Sequence, residues 1–264
     1  MMKRHIIIFI MVLASIAASA QELTLPDGTT FRTDRYDVSF VPIENMPDAT
    51  KFLPDPPADG SFTFLADSVV YEQGKLLRQT LRGDTAVQDA QLKLEYFMKR
   101  FGEVMHKDLT PEKYPYLAYI MNGTIHDIRG SIQKAKQLYS RHRPYQHFNE
   151  QSAVPEEEEP TDYTSYPSGH SVRAWALAML FVSLDPTYQN DIIKVGYELC
   201  QSRTIVGFHY QSDVDMAKLA ASAGFARLIA EPRFNEYLQK AREELCGLSS
   251  QSRSSGCCQC RRHP

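Results

Sequence analysis

Long apolar runs are missing from all but the start of this chain. Beyond residue 20 nothing approaches the roughly 20 consecutive apolar residues that cross a bilayer. The longest stretch, Ala174 to Leu184, reads as a buried core helix, so no stable membrane span is expected in the mature protein. Net charge is also small, −3 over 264 residues. No global field then draws the protein to nucleic acid or to an anionic membrane, and any anion binding must come from a local cluster. The 5 cysteines are not laid out as a disulfide framework. Cys200 sits alone in a helical pattern and reads as a small buried hydrophobe. Cys246, Cys257, Cys258 and Cys260 crowd the C-terminal end, and with His263 their spacing fits no common zinc pattern. No metal and no cofactor are therefore expected. Alternating strand patterns are almost absent, and neither an internal repeat nor a second domain boundary is visible. With 43% apolar residues the chain can build one large core. The expected fold class is all-α, in one domain.

What is present begins with residues 1–20. Lys3, Arg4 and His5 precede an apolar run, Ile6 to Ala17, and Ala18-Ser19-Ala20 follows. This is the pattern of a secretory signal peptide cut before Gln21. The alternative is an N-terminal membrane anchor; no cysteine follows the run to carry a lipid. Residues 21–60, rich in Pro, Asp and Thr, are expected as an extended segment packed on the core. Residues 61–248 are expected as the helical domain, and residues 249–264, Ser/Arg-rich and without periodicity, as a disordered Cys-rich tail. Within the domain, three- and four-residue apolar spacing predicts helices over Asp67–Leu81, Asp84–Phe101 with Asp84 as cap, and Tyr114–Tyr139 with Gly123 as candidate break. Further helices are expected over Ser168–Leu184, Thr187–Val206, Asp213–Ala230 and Pro232–Leu245. Tyr145 to Tyr166 joins two helices and carries EEEEP, Glu156 to Pro160, either a solvated loop or the rim of a pocket.

Three short segments concentrate chemistry: KQLYSRHRP with Lys136, Arg143 and Pro144; PSGH, Pro167 to His170; and SRTIVGFHYQSD with Ser202, Arg203, His209 and Asp213. Singly, each has a plain explanation. Lys136 and Arg143 can neutralise a helix C-terminus, Ser168 can be an N-cap, and His209 with Asp213 can be an i,i+4 pair. Together they describe an anion site. A helix N-terminus offers free N–H groups to phosphate, and Gly169 lets the backbone approach without a Cβ. Lys136, Arg143 and Arg203 add positive charge, the arginines in bidentate fashion. If the segment is helical, Asp213 lies about one turn from His209 and would fix its tautomer, leaving the other nitrogen free to attack. His170 supplies an acid at the helix mouth.

These segments match the signature K-x6-R-P, P-S-G-H, S-R-x5-H-x3-D, in order, with 22 residues between Pro144 and Pro167 and 31 between His170 and Ser202. The chain thus resembles the type-2 phosphatidic acid phosphatase and vanadium haloperoxidase superfamily. From Asp55, DPPADGSFTFLADSVVYEQGKLLRQTLRGDTAVQDA is similar to the N-terminal helices of class A bacterial non-specific acid phosphatases. The resemblance covers roughly Lys51 to Ala230. It implies a helical bundle of the acid phosphatase and vanadium haloperoxidase type, and a periplasmic or secreted acid phosphatase acting on small phosphomonoesters. It implies a phosphohistidine on His209, with Asp213 orienting it and His170 as acid and then base. Lys136, Arg143, Arg203, Ser168 and the backbone at Gly169 would hold the phosphate oxygens. Inorganic phosphate would be the product, and vanadate or similar oxyanions the inhibitors. Family members often form homodimers. The scheme needs His209 neutral and His170 protonated, whence an acid pH optimum. A lipid phosphate or pyrophosphate phosphatase, a vanadate-dependent haloperoxidase and a non-enzymatic anion-binding protein remain as alternatives.

Overall fold

A computed structural model describes residues 22–247; the signal peptide and the tail expected from the sequence lie outside them. The helices are α1 (Phe62–Leu77), α2 (Leu81–Gln88), α3 (Leu94–Val104), α4 (Pro115–Ser131), α5 (Gln133–Tyr139), α6 (Pro144–His147), α7 (Gly169–Leu184), α8 (Gln189–Ile205), α9 (Gln211–Ile229) and α10 (Pro232–Leu245). Two three-residue strands, β1 (Glu22–Thr24) and β2 (Thr30–Arg32), pair antiparallel, with Leu23 opposite Phe31. The architecture is all-α with this one small hairpin at its edge.

Helix α7 is the central element, packed on α4, α8 and α9. Its buried residues lie on every side of the helix: Val172, Ala174, Ala176, Leu177, Ala178, Leu180, Phe181 and Leu184. Ser168 starts it, the hydroxyl accepting from Ser171 N at 3.3 Å. Phe181 stacks on Phe101 of α3 with ring centroids 4.5 Å apart. Complete burial of one such ring stabilises by about 1.5–3 kcal/mol. Helix α10 starts on Pro232, where a missing N–H costs nothing. It turns Phe234, Tyr237, Leu238, Ala241 and Leu245 inward, the spacing of one helical face.

Residues 33–60 form almost no regular structure, yet Val38, Phe40, Val41, Met46, Ala49 and Leu53 join the main core. Side chains of α4 stand in for a strand partner. Asn122 Oδ1 accepts from the amides of Asp37 and Val38 at 3.1 and 3.0 Å, and its Nδ2 donates to the carbonyls of Arg32 and Arg35. Asp127 Oδ2 accepts from Phe40 and Val41 at 2.8 and 3.0 Å. Buried backbone groups must find partners, and here two polar residues of one helix supply them.

Several boundaries differ from the periodicity. Helix α1 begins five residues before Asp67, capped by Ser61, whose hydroxyl accepts from Phe64 N at 3.1 Å. Asp84 is not a cap. Thr80 caps α2, accepting from Gly83 N at 3.4 Å, and Asp84 lies in its first turn. The stretch to Phe101 is divided at Asp89, a buried carboxylate with Tyr96 Oη, Arg100 Nε and Ser202 Oγ at 2.7, 3.1 and 2.5 Å. Gly123 does not break α4, which runs on to Ser131. Its role is close approach: a Cβ there would stand 2.3 Å from Phe40 Cε2 and 3.0 Å from Val38 Cγ1.

That contact reverses an ordinary expectation. Gly→Ala in an exposed helix interior gains about 1 kcal/mol. Overpacking against Phe40 should instead make Gly123→Ala destabilising by about 1–3 kcal/mol. A lower urea midpoint is expected; a raised midpoint would refute the close approach.

Candidate functional site

The helix ends bring the three sequence segments together. Lys136 sits in the last turn of α5, and Arg143 is the N-cap residue of α6. Ser168 caps α7 and His170 lies in its first turn; Arg203 is in the last turn of α8. Gly207, at φ +80°, then reverses the chain, and His209 precedes α9. Asp213 is in the first turn of α9, and its carbonyl accepts from Ser168 N at 3.1 Å, which joins the starts of α7 and α9.

His209 is buried and held at both nitrogens. Nδ1–H donates to the Ser165 carbonyl at 2.9 Å, and Nε2 lies 3.1 Å from Arg143 Nη1, a permanent donor. The tautomer is therefore Nδ1–H, with the lone pair on Nε2. Burial, then the charges of Arg143, Lys136 and Arg203, push this imidazole well below its ordinary pKa, against the Ser165 carbonyl. It is neutral.

The expected direct grip of Asp213 on His209 is replaced by an indirect one. Because His209 precedes the helix, Asp213 Oδ2 is 3.5 Å from Nδ1, and the Ser165 carbonyl takes the proton instead. Asp213 Oδ2 accepts from Ser165 Oγ at 2.6 Å and Tyr210 N at 2.9 Å, and Oδ1 from Arg141 Nη1 at 2.6 Å. Arg141 also donates to Ser212 Oγ at 2.8 Å and Asp67 Oδ2 at 3.0 Å, and its guanidinium lies 4.0 Å over the Tyr210 ring. Arg141, Asp67 and Ser165 escaped the sequence reading. The only local sign of Arg141 was its place beside Arg143 in R-x-R.

Three cations face the same space. Lys136 Nζ donates to the Thr164 carbonyl; withdrawal from solvent, then the Arg143 charge, push its ammonium down to about 7. Arg143 donates through Nε and Nη2 to Asp162 Oδ2 at 3.1 and 2.6 Å. Burial opposes ionisation of Asp162, yet the Thr164 hydroxyl and Arg143 hold its carboxyl down to about 2. Arg203 is different. It has no exposed surface, and Nε, Nη1 and Nη2 are all buried without a hydrogen-bond partner. Burial, against the pull of Glu157, pushes it down to about 10. A guanidinium so placed has donors to spare for an anion. At Gly169, an added Cβ would meet only Lys136 Cε, at 3.5 Å.

His170 Nε2–H donates to the Ala90 carbonyl at 2.8 Å, so Nδ1 carries the free position. Ala90 follows the end of α2, where carbonyls lose their helical partners. Ser202, the serine of the third segment, sits against Asp89 beside it. Burial, then Arg203 and Arg173, push His170 well below the ordinary imidazole pKa. The expected separation of the two imidazoles is thus not seen: both are depressed. Among the described residues, no group of three or more His, Cys, Asp or Glu is arranged to hold a metal ion, and no helix is long and apolar enough to cross a membrane.

Residues 114–233 match the PAP2 superfamily, a span that holds every site residue from Lys136 to Asp213. The chain is similar to the non-specific acid phosphatase of Providencia stuartii, 35% identical over 85% of this chain and 91% of that one. It is likewise similar to that of Salmonella typhi, 32% identical over 74% and 78%. An acid phosphatase of Zymomonas mobilis is 28% identical over 75% of each chain. The chain belongs to the non-specific acid phosphatases of the PAP2 superfamily, and is a phosphoric monoester hydrolase.

The Lys136 ammonium gives the site a pH dependence whose sign is fixed. Below about 7 it is charged in the empty site and attracts an anion; above, it is neutral and does not. Sulfate keeps its charge across this range. Its affinity by calorimetry should fall as pH rises past 7, by up to about tenfold per unit, and Lys136→Met should flatten the dependence. A wild-type affinity equal at about pH 6 and about pH 8 contradicts this.

Proposed function

We propose that this acid phosphatase is exported, needs no metal, accepts a broad range of small phosphomonoesters and works through a phosphohistidine on His209. The observation that carries the reading is the buried guanidinium of Arg203, none of whose nitrogens has a hydrogen-bond partner, beside His209, whose lone pair is on Nε2. One group has donors to spare for an anion, and the other is poised as a nucleophile.

In this reading the phosphate lies at the N-terminus of α7. Arg203, Arg143 and Lys136 bind its oxygens together with the amides near Gly169, and Ser168 Oγ donates its hydroxyl proton. The oxygens take over the hydrogen bond that Arg143 gives to His209 Nε2. Nε2 then attacks phosphorus as the ester P–O bond breaks. His170 Nδ1 gives its proton to the leaving oxygen, while Nε2–H stays on Ala90. In the second half, His170 takes a proton from water, the water oxygen bonds to phosphorus, and the P–N bond breaks. The arriving phosphate offsets Arg203 and Arg173, whose charges depress His170 in the empty site, and so favours its protonated form. Asp213 acts through Ser165, holding the carbonyl that fixes the His209 tautomer. Positioning and charge stabilisation supply most of phosphoryl-transfer catalysis, and one placed acid is worth about 10²–10⁴-fold. Vanadate and similar oxyanions inhibit by occupying the same donors. The homodimer that the family resemblance implies belongs to the same proposal.

Labelled substrate mixed with enzyme in EDTA and quenched in alkaline denaturant should leave acid-labile phosphate on the wild type and none on His209→Ala. Turnover by His209→Ala near the wild-type rate, or loss of wild-type activity in EDTA that one metal restores, would sink this mechanism. Export has its own check. The mature protein recovered outside the cytoplasm should begin at Gln21 by N-terminal sequencing; a cytoplasmic chain retaining Met1 overturns it.

A further inference from the structure

One connecting segment reaches nearly every charged group of the site. Between α6 and α7, the Thr164 carbonyl holds Lys136, Asp162 holds Arg143, and Ser165 holds both His209 and Asp213. Glu157, from the acidic run, is the ion-pair partner of Arg203: Oε2 lies 3.6 Å from Nη2. Two of the site's cations are thus opposed by carboxylates from one loop.

The two carboxylates are held differently. Asp162 is tied down: its Oδ1 accepts from Thr164 N at 2.9 Å and from the Thr164 hydroxyl, while Oδ2 takes two bonds from Arg143. It positions Arg143 and leaves the other guanidinium nitrogen, Nη1, for His209. Glu157 has no such anchorage. At 3.6 Å it is beyond hydrogen-bond reach of Arg203, and its side chain is 35% exposed where Arg203 is fully buried. The pair is Coulombic, without the hydrogen bonds that would satisfy the guanidinium. Neighbours in the run do other things: Glu158 accepts from Ser152 N at 2.6 Å, and Glu156 is exposed.

A phosphate seeking Arg203 meets this carboxylate. Two anions at one guanidinium repel, and the partly exposed one can withdraw to water at little cost. We propose that Glu157 is a displaceable internal anion: it neutralises Arg203 in the empty site and is expelled by phosphate, weakening the hold on substrate and product alike. The inference rests on the phosphate reading of the site. Its effect is on affinity: it limits inhibition by the product, and it spares the empty enzyme a wholly uncompensated buried cation.

The test is calorimetric binding of inorganic phosphate to the wild type, Glu157→Gln and Glu156→Gln. Phosphate should bind Glu157→Gln about three- to tenfold more tightly than wild type, the range for a partly screened charge pair. KM for a phosphomonoester should fall in step, and Glu156→Gln should match the wild type. Glu157→Ala gives the same comparison if circular dichroism shows the glutamine variant misfolded. Equal or weaker phosphate binding by the Glu157 variants, with a wild type that binds and turns over, overturns this inference alone. A wild type that neither binds phosphate nor hydrolyses esters overturns the phosphate reading and this inference together.

Discussion

Three pieces of chain meet at the carboxylate of Asp213, a side chain with no exposed surface. A charge taken so far from water is destabilising unless every lone pair is met. Here Arg141, Ser165 and the Tyr210 amide meet them, and the Asp213 carbonyl secures the cap of α7. Each partner comes from a different part of the sequence, so the satisfaction of one ion fixes where α5, the acidic loop, α7 and α9 end or begin. The orientation of His209 is a by-product. The acid holds the loop, and the loop carbonyl holds the ring.

Around this anchor the molecule holds cations away from water, and one of them without a hydrogen bond. Arg203 has no partner within hydrogen-bond reach, and Lys136 is pushed down to about 7. Such a site is unfavourable when empty, and a helix as apolar as α7 provides the packing to hold it in place. Donors fixed in advance need no rearrangement when charge moves onto the phosphate oxygens, which is why preorganised polar groups in dry surroundings outperform water.

The sequence made the fold class and the composition of the site legible, because both are local signals. Pro232 and the apolar stripe of α10 mark that helix residue by residue, and Ser168 marks the start of α7. What escaped depends on distant partners. Asp84 and Thr80 are both good caps by type, and only the packed chain selects Thr80. Gly123 reads as a helix break until Phe40 is seen against it. The extended segment from residue 33 has no strand pattern because Asn122 and Asp127, about 90 residues on, supply its hydrogen bonds. Arg141 is an undefined position of the signature, yet it is the cation on Asp213. Gly207 stands where a helix stops, a common C-terminal signal, and it agrees with the expected helices, which leave His209 between Val206 and Asp213.

The His170 ring rests on a main-chain oxygen, that of Ala90. A peptide carbonyl is the same whatever residue carries it, so no substitution at position 90 can add or remove that acceptor. The placement of this acceptor therefore depends on the backbone that carries it. The levers for that are the residues bracing Asp89, namely Tyr96, Arg100 and Ser202. The serine of the third segment then has a structural place: it braces the carboxylate next to the carbonyl that holds a histidine of another helix. Tyr96, Arg100 and Ser202 thereby bear on the seat of His170 through one backbone peptide.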